Sequence, residues 1–234
     1  MSRQLAEAHI RAQKRLRDAA VRAVSTAWQQ LPAYNEQDVP QFLNRAVPAV
    51  TAAQRQSALV TNAYLARAIR RPVAPLDVAA VTGPAVRAGT PPEEVYRRPF
   101  VTVWTSLKAG NQLEDAIAAG LARAAGSAAM DVQLTMRATL QDVGMREDRI
   151  LGYARVPDGD ACNFCQLISG QRYTTEDLLP VHNHCGCSVE VITAETRDQF
   201  FGVPENDVND TVQVAEHGEL GPLLVGADHH FTAL

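Results

Sequence analysis

The sequence predicts a mainly α protein, an elongated helical scaffold carrying a small α+β module and ending in an extended C-terminal tail. Three observations predict it. Apolar residues recur at spacings of three and four through most of residues 1–150. All four cysteines fall between Cys162 and Cys187, where the texture turns to short strand-like runs. From Glu190 to Leu234, nine acidic residues stand against a single base, Arg197.

Residues 1–89 read as an N-terminal helical region. Leu16, Ala20, Val24, Trp28 and Leu31 form one stripe of an amphipathic helix that Pro32 stops. This helix is basic, with Arg3, Arg11, Lys14, Arg15, Arg17 and Arg22 against Glu7 and Asp18. Such a face either meets DNA phosphate or an acidic partner, or is simply solvated. A second helix opens at Asp38, with Pro40 in its first turn, and carries Leu43, Val47, Val50, Leu59, Ala63 and Ala66. Pro48 is expected to kink or split it. Residues 71–92, with Pro72, Pro75, Gly83, Pro84, Pro91 and Pro92, read as a connection.

Residues 90–150 continue the helical scaffold. "TPPE" at Thr90 has the letters of a capping box, with Glu93 three positions on. The helix behind it carries Val95, Val103 and Leu107, with Pro99 expected to bend it and Gly110 to end it. Asn111 then caps a long alanine-rich helix that Gly144 is expected to stop.

Residues 151–193 form the module. "ILGYARVPDG" and "CSVEVIT" read as strands on either side of the cysteines. Residues 194–234 read as an acidic extended C-terminal arm with too little apolar surface to fold alone. Its end nevertheless carries Leu220, Leu223, Leu224, Val225, Phe231 and Leu234, so it either orders on a partner or folds back on the chain. No run approaches the roughly 18–20 apolar residues of a membrane span. The charged start, "MSRQLAEAHIRAQKRLRDAA", has no apolar core of a secretory signal, which points to a chain made in a cytosol.

Cys162 and Cys165, spaced C-x2-C, put two thiolates on one tight turn, within reach of a single tetrahedral zinc ion. After sixteen intervening residues, His182, His184, Cys185 and Cys187 offer four more donors. His182 with one or both of Cys185 and Cys187 leaves the chain room to turn between ligands, whereas adjacent His184 and Cys185 are badly placed to share one ion. The expected metal set is therefore Cys162, Cys165, His182, Cys185 and Cys187, holding a structural Zn2+ with no open position for water. Two disulfides, or unliganded or redox cysteines, are the alternatives. Disulfides disagree with a reducing cytosol and with the small loops that C-x2-C and C-x-C would close.

Catalysis is not expected. A zinc deaminase needs H-x-E ahead of its C-x-x-C, and here the C-x-x-C comes first. No H-E-x-x-H, G-x-S-x-G or phosphate-binding loop occurs. The letters "HNH" at 182–184 lack the spread of the nuclease motif so named.

The order C-x-x-C, glycine turn, proline and H-x-x-C-x-C resembles the motif of the Mu F-like minor head proteins of tailed bacteriophages, the phage head morphogenesis family. It falls on Cys162, Cys165, Gly170, Pro180, His182, Cys185 and Cys187; His184 departs from the small or polar residue usual there. "YRRPFVTVWTSLKAGNQLEDAIAAGLARAA", "ILGYARVPDGDACNFC" and "EHGELGPLLVGADHHFT" are similar to versions from phages of actinobacteria, and the resemblance spans residues 94–234. It implies a minor capsid protein in the virion head near the portal vertex or inside the capsid, assembled in the host cytoplasm in several copies. Its implied partners are the portal protein or the major capsid protein, with packaged DNA met through the basic N-terminal helix, and no membrane. A DNA-binding zinc module aiding packaging or ejection is the alternative, and a metal-dependent nuclease a more distant one.

Overall fold

The stripe from Leu16 to Trp28 lies on helix α1 (Ser2–Gln29), and its burial extends back to Ala6 and Ile10. This computed structural model describes residues 2–159, 161, 163–169, 171–176, 178, 186–200, 212–218 and 221–226. After α1 come α2 (Val39–Ala68), α3 (Pro92–Lys108) and α4 (Leu113–Arg146). The module follows: β1 (Gly152–Val156), α5 (Asn163–Leu167), β2 (Arg172–Tyr173) and β3 (Ser188–Ile192). A hairpin of β4 (Val212–His217) and β5 (Gly221–Gly226) lies beyond it. The fold is mainly helical with a small β part, as the sequence predicts.

Several helix ends differ from expectation. Asp38 does precede α2, but its carboxylate turns back to accept the amides of Ala33 and Asn35, both at 3.1 Å. Asn35 in turn caps a short 3-10 turn at Glu36–Asp38. Pro48 does not split α2. It and Asn44, whose carbonyl loses its helical donor, both lie on the exposed face, where solvent can take that carbonyl. The Thr90–Glu93 capping box does not form: α3 begins at Pro92, and its N-cap, Pro91, has no side-chain acceptor. Likewise Gln112, not Asn111, precedes α4, and the Asn111 side chain donates to Ser106 Oγ. Helix α4 runs through Gly144 to Arg146. Other ends are as expected: α1 ends at Gln29, ahead of Pro32, Pro40 lies in the first turn of α2, and Gly110 ends α3 with φ at +89°.

Alanine and glycine let α4 serve as the central helix. Residues 126–137 are buried on every side, and α4 packs against α1, α2 and α3. Gly120 shows how close the packing is: a Cβ there would stand 2.5 Å from Trp28 and 2.7 Å from Val103.

Two apolar clusters result. One centres on Trp28, Phe42 and Phe100, whose rings meet at 5.0–5.6 Å, and joins α1, α2, α3 and the first half of α4. The other joins Ala6 and Ile10 of α1, Tyr64 and Leu65 of α2, and Met136 and Leu140 of α4 to all three strands of the module's sheet. That sheet runs in the order β2-β1-β3, antiparallel throughout, with β1 central. Tyr153 of β1 donates to the carbonyl of Leu140 at 2.6 Å, over Gly144, where a Cβ would stand 2.5 Å from its hydroxyl. Gly144 is thus a docking point for the sheet. Leu224 of β5 is fully buried in this second cluster, so the hairpin's apolar residues meet the chain's own core.

Between the clusters lies a polar layer. His9 and Gln13 of α1 meet Ser57 and Thr61 of α2, and all four are buried. Further along, Asp131 of α4 accepts from Arg87 Nε and the Tyr96 hydroxyl, both at 2.7 Å. Burial and the Asp131 carboxylate together push the Tyr96 phenol well above its usual range.

Candidate functional site

Two arms carry the cysteine motif, and β1 stands between the strands that follow them. The first arm opens α5, where Cys165 sits on the buried face beside Phe164. The second leads into β3, whose first residue follows Cys187. Both thiols are 1% exposed and belong to one apolar cluster with Tyr153, Val156, Ile168 and Leu178. The fold therefore brings one cysteine of each arm to a common core. Cys162, His182, His184 and Cys185 lie outside the described residues. Among the described residues, no three His, Cys, Asp or Glu side chains are grouped to hold a metal ion. The described donors of the motif are thus two buried thiols, one from each arm.

Three consecutive residues of the second arm are gripped, one after another. Gly186 lies against Asp158: a Cβ at this position would stand 1.5 Å from the Asp158 carboxylate. Asp158 in turn pairs with Arg17 of α1 at 3.8 Å, with both side chains largely buried. Arg17, a member of the basic face in the sequence, is in fact an internal tie. Next, the Cys187 carbonyl accepts from Gln133 Nε2 of α4 at 3.1 Å. Last, Ser188 Oγ meets His9 Nδ1 at 2.7 Å.

The chemistry of His9 follows from its neighbours. The Gln13 amide nitrogen, 3.1 Å from His9 Nε2, can only donate, so Nε2 accepts and the proton resides on Nδ1, facing Ser188. Gln13 Oε1 accepts from Ser57, which fixes the orientation of the amide. The His9 ring stacks on Tyr64 at 4.4 Å, 5° from parallel. Burial holds its pKa down at about 4. Tyr64 donates to the Val189 carbonyl at 2.6 Å, and burial, aided by the Glu190 carboxylate, pushes its phenol far up. His9 is thus a neutral connector between α1 and β3.

A family model described as VG15 protein matches residues 1–212. The chain belongs to the VG15 family. VG15 is a phage-type, viral-gene family. The match takes in all four long helices, both arms of the cysteine motif and the first residue of β4. No curated protein and no solved structure matches this VG15 chain. Among the described residues, no helix is long and apolar enough to cross a membrane.

His9, Gln13, Gln133 and Asp158 escaped the sequence reading, and Arg17 entered it only as part of the basic face. One signal was present: His9 and Gln13, four residues apart, mark the same face as Ala6, Ile10 and Ala20. A polar pair on an apolar stripe calls for partners, but the sequence does not say which.

Proposed function

We propose that this VG15-family protein is a minor capsid protein of a tailed phage, a structural component of the head at the portal vertex or on the capsid interior. The observation that carries the reading is the shared core. Helices α1, α2 and α4 run from an all-helical cluster into one that also holds the sheet and both described cysteines. Such a body, stiffened at the cysteine-bearing end, suits a part that holds its shape against larger neighbours. A zinc ion held by Cys162, Cys165, His182 and one of Cys185 and Cys187 completes that stiffening, and no turnover is assigned to it. The partners are the portal protein or the major capsid protein.

The test is co-purification. Tagged protein expressed with the portal protein and with the major capsid protein should elute with one of them as an assembly, and virions should contain it. Elution of the chain alone in both cases, with virions lacking it, would refute the reading.

One observation favours a second reading, contact with packaged DNA. Arg11, Arg15 and Arg22 are exposed along one face of α1 and have no ion pair among the described residues. Binding through such a stripe would weaken steeply with added salt. Retention on duplex DNA that is insensitive to salt, or unchanged by removing these arginines, would exclude it.

A further inference from the structure

Where the N-terminal turn of α1, the C-terminal turn of α2 and the end of β3 meet, they enclose a cavity of about 450 Å3. Glu190 lines it. This side chain sits on β3 between Val189 and Val191 and is 8% exposed, yet it has no hydrogen bond and no ion pair among the described residues. Its carboxylate faces the open space of the cavity with no protein donor among the described residues, so a charged group entering the cavity can reach it. The neighbouring acid, Glu195, already accepts from Thr193 Oγ1 at 3.2 Å.

The walls and rim restrict what can answer Glu190. Leu5, Ala68 and Val191 supply apolar wall, suited to a methylene stem. Arg67 and Arg70 are exposed at the mouth without ion pairs, whereas Arg3 is matched to Glu7 at 3.5 Å. Arg70 is held with φ at +55°, the left-handed residue that closes α2, so its position is set by the helix end. A bare divalent cation suits this site poorly, since Glu190 shares the cavity with the guanidinium groups of Arg67 and Arg70, which have no ion pair among the described residues. A long side chain with a charged tip suits it well. Among the described residues β3 has a strand neighbour on one side only, and Val191 lines the cavity, so a polypeptide can approach there.

We propose that this cavity receives a lysine or arginine side chain from a partner polypeptide. The tip meets Glu190, the stem lies on Leu5, Ala68 and Val191, and a carboxylate next to it in the partner's sequence meets Arg67 and Arg70. Floor anion and rim cations together select a basic–acidic pair, because either charge alone leaves one set of groups unanswered.

The test uses the full chain and an acetylated, amidated Gly-Lys-Asp-Gly peptide, followed by amide chemical shifts at low salt. Saturable shifts are expected at Glu190, Val191 and Arg67. Glu190→Gln, which keeps the side chain's shape, should weaken binding by about tenfold or more, and the double variant Arg67→Ala/Arg70→Ala should weaken it several-fold. The same peptide with norleucine in place of lysine should not bind the wild-type chain, a comparison that holds even if a variant folds poorly. Absence of saturable shifts, equal binding of the norleucine peptide, or full affinity in a folded Glu190→Gln chain would each overturn the proposal. So would displacement of the peptide by millimolar inorganic phosphate with Glu190 unperturbed, because the site would then be an anion site on the rim.

Discussion

Gly186 packs directly against Asp158, and Asp158 is held in turn by Arg17, 169 residues earlier in the chain than Gly186. The second arm of the cysteine motif is thereby fixed to the first helix by a contact that admits no side chain.

Gly186→Ala should therefore act well beyond its size. The added methyl requires Asp158 to move and breaks its pairing with Arg17, so a loss of about 1–3 kcal/mol is expected in urea unfolding. An unchanged unfolding midpoint would show that the close approach of Gly186 and Asp158 is not maintained.

The purified protein should carry about one zinc per chain, and Cys165→Ser or Cys187→Ser should lower that content. Both thiols lie in a core shared by the sheet and three long helices. Chelation should therefore lower the melting temperature of the helices too, read as helical circular dichroism. Less than a tenth of an equivalent of zinc in protein purified under reducing conditions would exclude the metal.

His9 makes stability depend on pH. Its folded pKa, about 4, lies below the ordinary value of 6.5, so the unfolded chain binds the extra proton between those limits. Stability from this group is complete above pH 6.5, falls as the pH drops, and is fully lost once the pH is below about 4. A separation of this size corresponds to roughly 3 kcal/mol. The stability gap between the wild type and His9→Gln should narrow across that window in denaturant titrations. A gap independent of pH would mean that the ring is not buried neutral.

Leu224→Ala should destabilise the isolated protein by about 2–4 kcal/mol, because the side chain is fully buried in the second cluster. Normal melting of the isolated variant, combined with lost incorporation into heads, would instead assign this leucine to a partner surface.

The long helices were legible because their signal is local and repeated. Leu16, Val24 and Trp28 mark a face of α1 whatever packs on it, and the alanines of α4 announce close helix packing. β1 and β3 were legible from their β-branched and aromatic residues, and the cysteine spacing singled out its own segment. Helix ends were not: Thr90 and Asn111 have capping chemistry, but a cap is settled by competition among neighbouring turns, and Pro91 and Gln112 took those places. Only the tertiary structure could join His9 to Ser188, 179 positions apart, or leave Glu190 buried before an open cavity. A buried polar group gains its meaning from the partner brought to it or withheld from it, and in this chain those partners come from different helices and strands.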